Sequence, residues 1–91
     1  MGMNIKFDTC FLNDLKKLKN KDIAQRLKYI INTIEKAESI HTIRNLKKME
    51  GYTSYYRIRI GNYRIGLELV NDDTIIFVRL KHRKDIYKVF P

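Results

Sequence analysis

The sequence predicts an α+β fold with an N-terminal strand, a helical hairpin, a three-stranded antiparallel meander and a short C-terminal helical tail. Two observations carry this prediction. Apolar and polar side chains alternate over residues 54–81, with residues typical of tight turns at two points. Before this stretch, apolar side chains recur every three or four residues, the spacing of helices that are apolar on one side. A chain of 91 residues is expected to form one domain, 1–91, with a single core.

The N-terminal part predicts a strand followed by two helices. Residues 3–7 alternate around Lys6, as in a short strand. Asp8 or Thr9 can cap a first helix over about residues 9–19, and Asn20 can cap a second one. The second helix carries an apolar stripe formed by Ile23, Leu27, Ile30, Ile31 and Ile34. Periodicity fades over residues 39–53, which predicts an ordered loop with a helical turn.

Two predicted turns set the register of the meander. The Gly-Asn pair at 61–62 is typical of a two-residue hairpin turn, and it sets Ile58 opposite Ile65 and Arg59 opposite Arg64. The Asp-Asp pair at 72–73 predicts the second turn. It sets apolar residues opposite one another in the pairs Leu69 and Ile76, Leu67 and Val78, and Ile65 and Leu80.

The other face of the predicted sheet gathers the cations Arg57, Arg59, Arg64, Arg79 and Lys81. Like charges directly opposite one another destabilise a strand pair by up to about 1 kcal/mol. Two interpretations remain open: an anion site, with phosphate as the leading ligand, or a solvated face that keeps the sheet soluble. Tyr55 and Gly66 favour the anion site, because an aromatic ring offers a stacking surface and a glycine within a strand often marks a close approach by backbone or ligand.

The charge balance indicates a polyanionic partner. Nineteen Lys and Arg residues stand against 10 Asp and Glu, giving a net charge of +9. Nucleic acid, an anionic membrane or an acidic protein would suit such a surface. No apolar run approaches the roughly 18 residues that span a bilayer, and no signal-peptide core begins the chain. We therefore expect a soluble cytoplasmic protein that does not enter a membrane, with Met1-Gly2 as a cloning remnant before a natural start at Met3.

Metal and cofactor sites are not predicted. The single cysteine, Cys10, excludes an internal disulfide and is expected to be a packed thiol. His41 and His82 lack the further ligands of a zinc site. The glycines at 51, 61 and 66 lack the spacing of a phosphate-binding loop.

The segment 55–91, YYRIRIGNYRIGLELVNDDTIIFVRLKHRKDIYKVFP, resembles the C-terminal half of the RelE/ParE superfamily of bacterial and archaeal toxins. The shared pattern is a YRIRxGxYR hairpin, then an apolar strand ending in basic residues and an HRxxIY motif. The preceding helices and the LKKMEG run at 46–51 fit as well, so the resemblance covers the chain from Met3.

The resemblance implies a toxin that a separately encoded cognate antitoxin neutralises in a toxin-antitoxin hetero-oligomer. RelE-type members cut messenger RNA on the ribosome without a metal, whereas ParE-type members poison DNA gyrase. The fold alone does not choose between these activities. A third alternative is a module without catalytic activity that only binds its antitoxin.

For the RelE-type activity, the resemblance implies that phosphate stabilisation and proton transfer fall to Arg57, Arg59, Arg64, Arg83 and Tyr87. Arginine suits the first task because it stays charged and grips phosphate oxygens through two donors. Further contacts to RNA are predicted for Lys47, Lys48, Tyr55, Arg79, Lys81 and Lys84.

One departure from the family pattern concerns the proton acceptor. The best-characterised RelE enzymes carry lysine at the two positions occupied here by Arg57 and Arg59, and one of those lysines is proposed as the general base. A guanidinium is a poor base. His82 is therefore the predicted acid or base, since imidazole exchanges protons near neutral pH; the alternative is a histidine that ends the strand and bonds backbone or water. The leading hypothesis is a ribosome-dependent, metal-free messenger RNA endonuclease that uses 2′-hydroxyl attack.

Overall fold

The computed structural model describes residues 2–91 and has one five-stranded sheet with helices on both faces. The elements are β1 (Asn4–Phe7), α1 (Thr9–Lys17), α2 (Lys21–Lys36), a 3₁₀ turn (Ile40–Thr42), β2 (Leu46–Lys48), β3 (Tyr55–Ile60), β4 (Tyr63–Asn71), β5 (Thr74–His82) and α3 (Ile86–Val89). The strand order is β1-β5-β4-β3-β2, with β1 parallel to β5 and the other pairs antiparallel. The predicted α+β class is confirmed.

The sheet extends beyond the predicted meander at both edges. β1 adds to β5, and β2 adds to β3 by pairing Lys47 with Arg57. The prediction of a loop over residues 39–53 was right for the 3₁₀ turn but wrong for β2. The three-residue strand is too short, and too rich in lysine, to show an alternating pattern.

Side-chain caps explain where the first two helices begin. The Asp8 carboxylate accepts the backbone N–H of Cys10 at 2.8 Å, and the Asn20 side-chain oxygen accepts that of Ile23 at 3.1 Å. Each such cap typically stabilises a helix by about 1 kcal/mol. Cys10 itself is exposed, so the predicted packed thiol was wrong. The neighbouring Phe11 is the α1 side chain that enters the core.

The first hairpin has the predicted register throughout. Ile58 pairs with Ile65, and Arg59 with Arg64. Gly61 has a φ of +60°, a left-handed conformation that glycine adopts without steric cost. The turn chemistry and the alternation therefore agree in fixing which side chains share a face.

The second hairpin follows the predicted register only at its two ends. Asn71 pairs with Thr74, and Ile65 with Leu80, but two compensating irregularities offset the strands by one residue between these points. The predicted pairs of Leu69 with Ile76 and Leu67 with Val78 were therefore wrong: Leu69 pairs with Ile75, and Leu67 with Phe77. Because a shift of one residue exchanges the faces of a strand, Ile75 and Phe77 enter the core in place of Ile76 and Val78.

The core lies between the sheet and the first two helices. It contains fully buried side chains from α1, α2 and the three long strands, namely Phe11, Ile34, Ile58, Ile65, Leu67, Ile75 and Phe77. Burial of each large apolar side chain contributes about 1.5–3 kcal/mol to folding. Phe7, Phe11 and Phe77 pack together, with ring centroids 5.3 to 5.6 Å apart.

Candidate functional site

The open face of the sheet, the one turned away from α1 and α2, carries two rows of cations. The register places Lys47, Arg57, Gly66 and Arg79 in one row across four strands, and Arg59, Arg64 and Lys81 in the next. Neighbouring strands in a sheet lie about 4.8 Å apart, so these charges are held close together by the backbone. The predicted gathering of cations on one face is present.

The C-terminal tail divides these cations into two groups. Phe90 is buried against Gly66, where a Cβ would lie 2.6 Å from the phenylalanine Cγ. Gly66 stands between Arg57 and Arg79 in its row. The close approach predicted for this glycine is therefore made by the protein's own Phe90 ring, with Arg57 on one side and Arg79 on the other.

The group on the β5 side is paired with a buried carboxylate. Asp14 on α1 accepts hydrogen bonds from Arg79 at 2.9 and 3.1 Å and lies 3.3 Å from the ammonium of Lys81. The same carboxylate accepts the backbone N–H of Leu80 at 3.0 Å, beyond the point where β1 ends. Asp14 thus caps the open edge of β5 and partly neutralises both predicted RNA contacts.

The group on the other side is centred on Arg64. One guanidinium nitrogen of Arg64 donates to the backbone carbonyls of Gly61 at 3.0 Å and Tyr63 at 2.8 Å, which holds the side chain over the first hairpin turn. Burial lowers the pKa of Arg64, and the charges of Arg59 and Arg57 lower it further. A guanidinium still remains charged at neutral pH.

Arg83 and Tyr87 complete this group, which we call the arginine cluster: Arg57, Arg59, Arg64, Arg83 and Tyr87. Tyr87 raises the pKa of Arg64 and Arg83 lowers it, as expected for groups near its guanidinium. The backbone N–H of Arg83 donates to the carbonyl of Asn62 at 2.7 Å, so Arg83 follows β5 past the hairpin turn. Tyr87 projects from α3 with 56% of its surface exposed.

A groove opens beside the arginine cluster where the loop after β2 faces α3. It is lined by Lys47, Lys48, Met49, Glu50, Arg57 and Tyr87. Both predicted lysine contacts therefore lie next to the cluster. A phosphate in this groove would contact cations from β2 and β3 and the Tyr87 side chain.

His82, the predicted acid or base, lies on the other face of the sheet. It pairs with Tyr63, and the two rings stand 5.6 Å apart on the helix-facing side. Its Nδ1 accepts the backbone N–H of Lys84 at 3.2 Å. The structure does not bring His82 together with the arginine cluster, because it follows Lys81 along β5 and successive side chains point to opposite faces.

The remaining predicted RNA contacts are Tyr55 and Lys84. Tyr55 is partly buried between the rings of Tyr52 and Phe90, each with its centroid 5.5 Å away. Its ring therefore links the loop after β2 to the C-terminal tail. Lys84 is exposed in the turn between β5 and α3.

Across residues 2–91, no three His, Cys, Asp or Glu side chains come close enough to hold a metal ion. Among these residues there is also no helix with the length and apolarity needed to cross a bilayer.

The arrangement can bind a phosphate group and stabilise charge on it. Three further guanidiniums and the Tyr87 phenol lie near the Arg64 guanidinium, and strands hold three of the four arginines. Preorganised positive charge of this kind lowers the energy of a phosphate that gains charge during in-line attack. A guanidinium cannot accept a proton, so the base must come from another group.

A helical hairpin on one face of a mostly antiparallel sheet, with arginines and a C-terminal helix on the other, defines the RelE/ParE class of toxin folds. A family model described as "ParE toxin of type II toxin-antitoxin system, parDE" matches residues 5–87. The chain therefore belongs to this toxin family.

Individual relatives agree with this assignment. The chain is 48% identical over 90 residues to Toxin RelE3 of Methanocaldococcus jannaschii, covering 98% of this chain and 100% of the relative. A crystal structure of a RelB-RelE antitoxin-toxin complex from Methanococcus jannaschii matches with a TM-score of 0.78 and 46% identity, covering 94% of this chain and 99% of that one. The archaeal RelE-RelB complex from Pyrococcus horikoshii matches in fold, with a TM-score of 0.72, 24% identity, and coverage of 91% and 97%.

Proposed function

We propose that this protein cleaves messenger RNA on the ribosome and so inhibits translation, without a metal or other cofactor, until a cognate antitoxin binds it. The observation that carries the proposal is the arginine cluster, in which Arg64 lies near three further arginines and Tyr87. A single-stranded message in the ribosome would supply the scissile phosphate.

The proposed reaction is attack by a ribose 2′-oxygen on the adjacent phosphorus. Arg57, Arg59 and Arg64 hold the non-bridging phosphate oxygens and stabilise their growing charge. The bond from phosphorus to the 5′-oxygen breaks, and the Tyr87 hydroxyl protonates that oxygen. The products are a 2′,3′-cyclic phosphate and a 5′-hydroxyl end.

The proposed antitoxin partner rests on the relatives. The structures from Methanococcus jannaschii and Pyrococcus horikoshii are complexes of RelE with RelB. With a net charge of +9, this chain would attract an acidic segment. Such a segment lying over the arginine cluster would exclude RNA. The proposed site of action is the cytoplasm, where ribosomes and messages meet.

Purified protein added to translating ribosomes on a defined message tests the proposal. Primer extension should reveal new 5′ ends at ribosome-occupied codons, and the Arg64→Gln/Arg83→Gln variant should give none. Absence of cuts by the wild type on active ribosomes would refute the nuclease activity.

A second candidate function is inhibition of DNA gyrase. This alternative is supported by the family description, which names the ParE toxin of the parDE system. A supercoiling assay with purified gyrase discriminates the two. Loss of supercoiling together with intact messages on the ribosome would establish the second function in place of the first.

A further inference from the structure

We infer that Glu50 is the general base of the proposed RNA cleavage, an inference that rests on the proposed function. Cleavage by 2′-hydroxyl attack requires a group that removes the proton from that hydroxyl. Arg57 and Arg59 are guanidiniums, which cannot accept a proton, and His82 lies on the other face of the sheet. The proton acceptor must therefore be found elsewhere near the arginine cluster.

Glu50 lines the same groove as Arg57 and Tyr87. The other groups in this groove that could exchange a proton are the ammoniums of Lys47 and Lys48 and the Tyr87 phenol. Each of these must first lose its own proton at neutral pH, whereas a glutamate carboxylate is ordinarily ionised and ready to accept one. Glu50 is thus the group in the groove best suited to act as a base.

No other carboxylate of residues 2–91 lines this groove, and three of them have cationic partners of their own. Asp14 binds Arg79 and Lys81, Asp22 pairs with Arg26, and Asp85 pairs with Lys88. Glu68 is on the open face but pairs across the sheet with Tyr55 and Ile76, one row away from Arg57. Within residues 2–91, Glu50 takes part in none of these ion pairs.

The turn that carries Glu50 is tied to the helix that carries Tyr87. The Met49 N–H donates to the Tyr55 carbonyl at 2.8 Å, and the Tyr52 N–H donates to the Met49 carbonyl at 3.3 Å. The rings of Tyr52, Tyr55 and Phe90 then stack edge-on in succession, each 5.5 Å from the next. This stack fixes the loop and the C-terminal tail against one another across the groove.

The inferred step balances in atoms and charge. The Glu50 carboxylate takes the 2′-hydroxyl proton as the 2′-oxygen forms its bond to phosphorus. The bond from phosphorus to the 5′-oxygen breaks with its electron pair on oxygen, which takes a proton from the Tyr87 hydroxyl. In-line attack requires Glu50 and Tyr87 to act from opposite sides of the phosphorus, with the phosphate between them in the groove that both line.

Cleavage on the ribosome by Glu50→Gln tests the inference, with Glu35→Gln as the matched control on the exposed side of α2. General-base catalysis typically contributes 10²–10⁴-fold, so we expect Glu50→Gln to be slower by about 100-fold or more and Glu35→Gln to equal the wild type. The wild-type rate should level off as pH rises. The Glu50→Gln rate should keep rising about tenfold per pH unit, because hydroxide then replaces the missing base.

A message with sulfur at the scissile 5′-bridging position separates the base from the acid, because a thiolate leaves without protonation. We expect it to rescue Tyr87→Phe but not Glu50→Gln. Equal single-turnover rates for wild type and Glu50→Gln would overturn this inference and leave the proposed function standing. An inactive wild type would overturn both.

Discussion

Phe90 lies directly over Gly66, close enough that a Cβ at position 66 would come 2.6 Å from the phenylalanine Cγ. The ring also packs edge-on against Tyr55, at 5.5 Å. Since α3 is four residues long, it has little stability of its own and depends on this contact and on buried Ile86. The position of Tyr87 in the arginine cluster therefore depends on a glycine in the middle of β4.

A double-mutant cycle should measure the coupling between these two residues. Gly66→Ala alone should lower the free energy of unfolding by about 1–3 kcal/mol, because the added methyl must displace the ring. The same change in a Phe90→Ala background should cost at least about 1 kcal/mol less, since the ring is gone. Urea denaturation of the four proteins gives the coupling, and additive effects would show that Phe90 does not rest on Gly66.

Removing the buried carboxylate at the edge of β5 should lower the free energy of unfolding more than removing an exposed carboxylate. We expect Asp14→Ala to lower the free energy of unfolding by about 3–5 kcal/mol, because Arg79 loses its partner and the Leu80 N–H its acceptor. Asp22→Ala, which breaks the exposed pair with Arg26, should cost less than about 1 kcal/mol. Chemical denaturation tests both, and equal small effects would contradict the role given to Asp14.

The sequence predicts the first hairpin correctly because two independent signals agree. The turn at 61–62 needs a glycine, and the alternation around it fixes both faces. In the middle of the second hairpin, only the apolar character of the side chains indicates the register. Val78 is as apolar as Phe77, so the composition does not show that the register slips by one residue and that Phe77 takes the core position.

The site was predictable to the extent that it follows from strand alternation. Arg57, Arg59 and Arg64 meet because their strands pair in the expected register. The same alternation places His82 on the face opposite to Lys81, a signal that the sequence contains. The ion pair between Asp14 and Arg79 spans 65 positions, and a lone aspartate on a helix does not indicate it. Glu50 likewise joins the groove through the fold of a loop that has no periodicity.

Neutralising one member of the opposed arginine pair should stabilise the free protein. Arg59 stands directly across from Arg64, and like charges so placed oppose strand pairing. We expect Arg59→Gln to raise the free energy of unfolding by tenths of a kcal/mol, up to about 1 kcal/mol, while RNA cleavage falls. Lys19→Gln, outside the sheet, is the control. Destabilisation by Arg59→Gln would show that the opposed charges do not oppose folding.

The salt dependence of RNA binding should distinguish the two groups of cations. Each phosphate contact to a single strand contributes about −0.7 to the slope of log K against log salt concentration. Arg59→Gln should therefore reduce the slope by about 0.7, whereas Lys81→Gln should change it by less, because Asp14 already pairs with that ammonium. Titration of a short RNA at several salt concentrations measures the slopes. Equal reductions would place Lys81 in the RNA site.

Cleavage of a message on active ribosomes by the wild type, Arg64→Gln and His82→Gln, with analysis of the RNA ends, tests whether the arginine cluster performs the chemistry. We expect the wild type and His82→Gln to leave 2′,3′-cyclic phosphate and 5′-hydroxyl ends at similar rates, and Arg64→Gln to be slower by about 100-fold or more. Cleavage that survives in Arg64→Gln but is lost in His82→Gln would contradict the account and move the chemistry to the helix-facing side of the sheet.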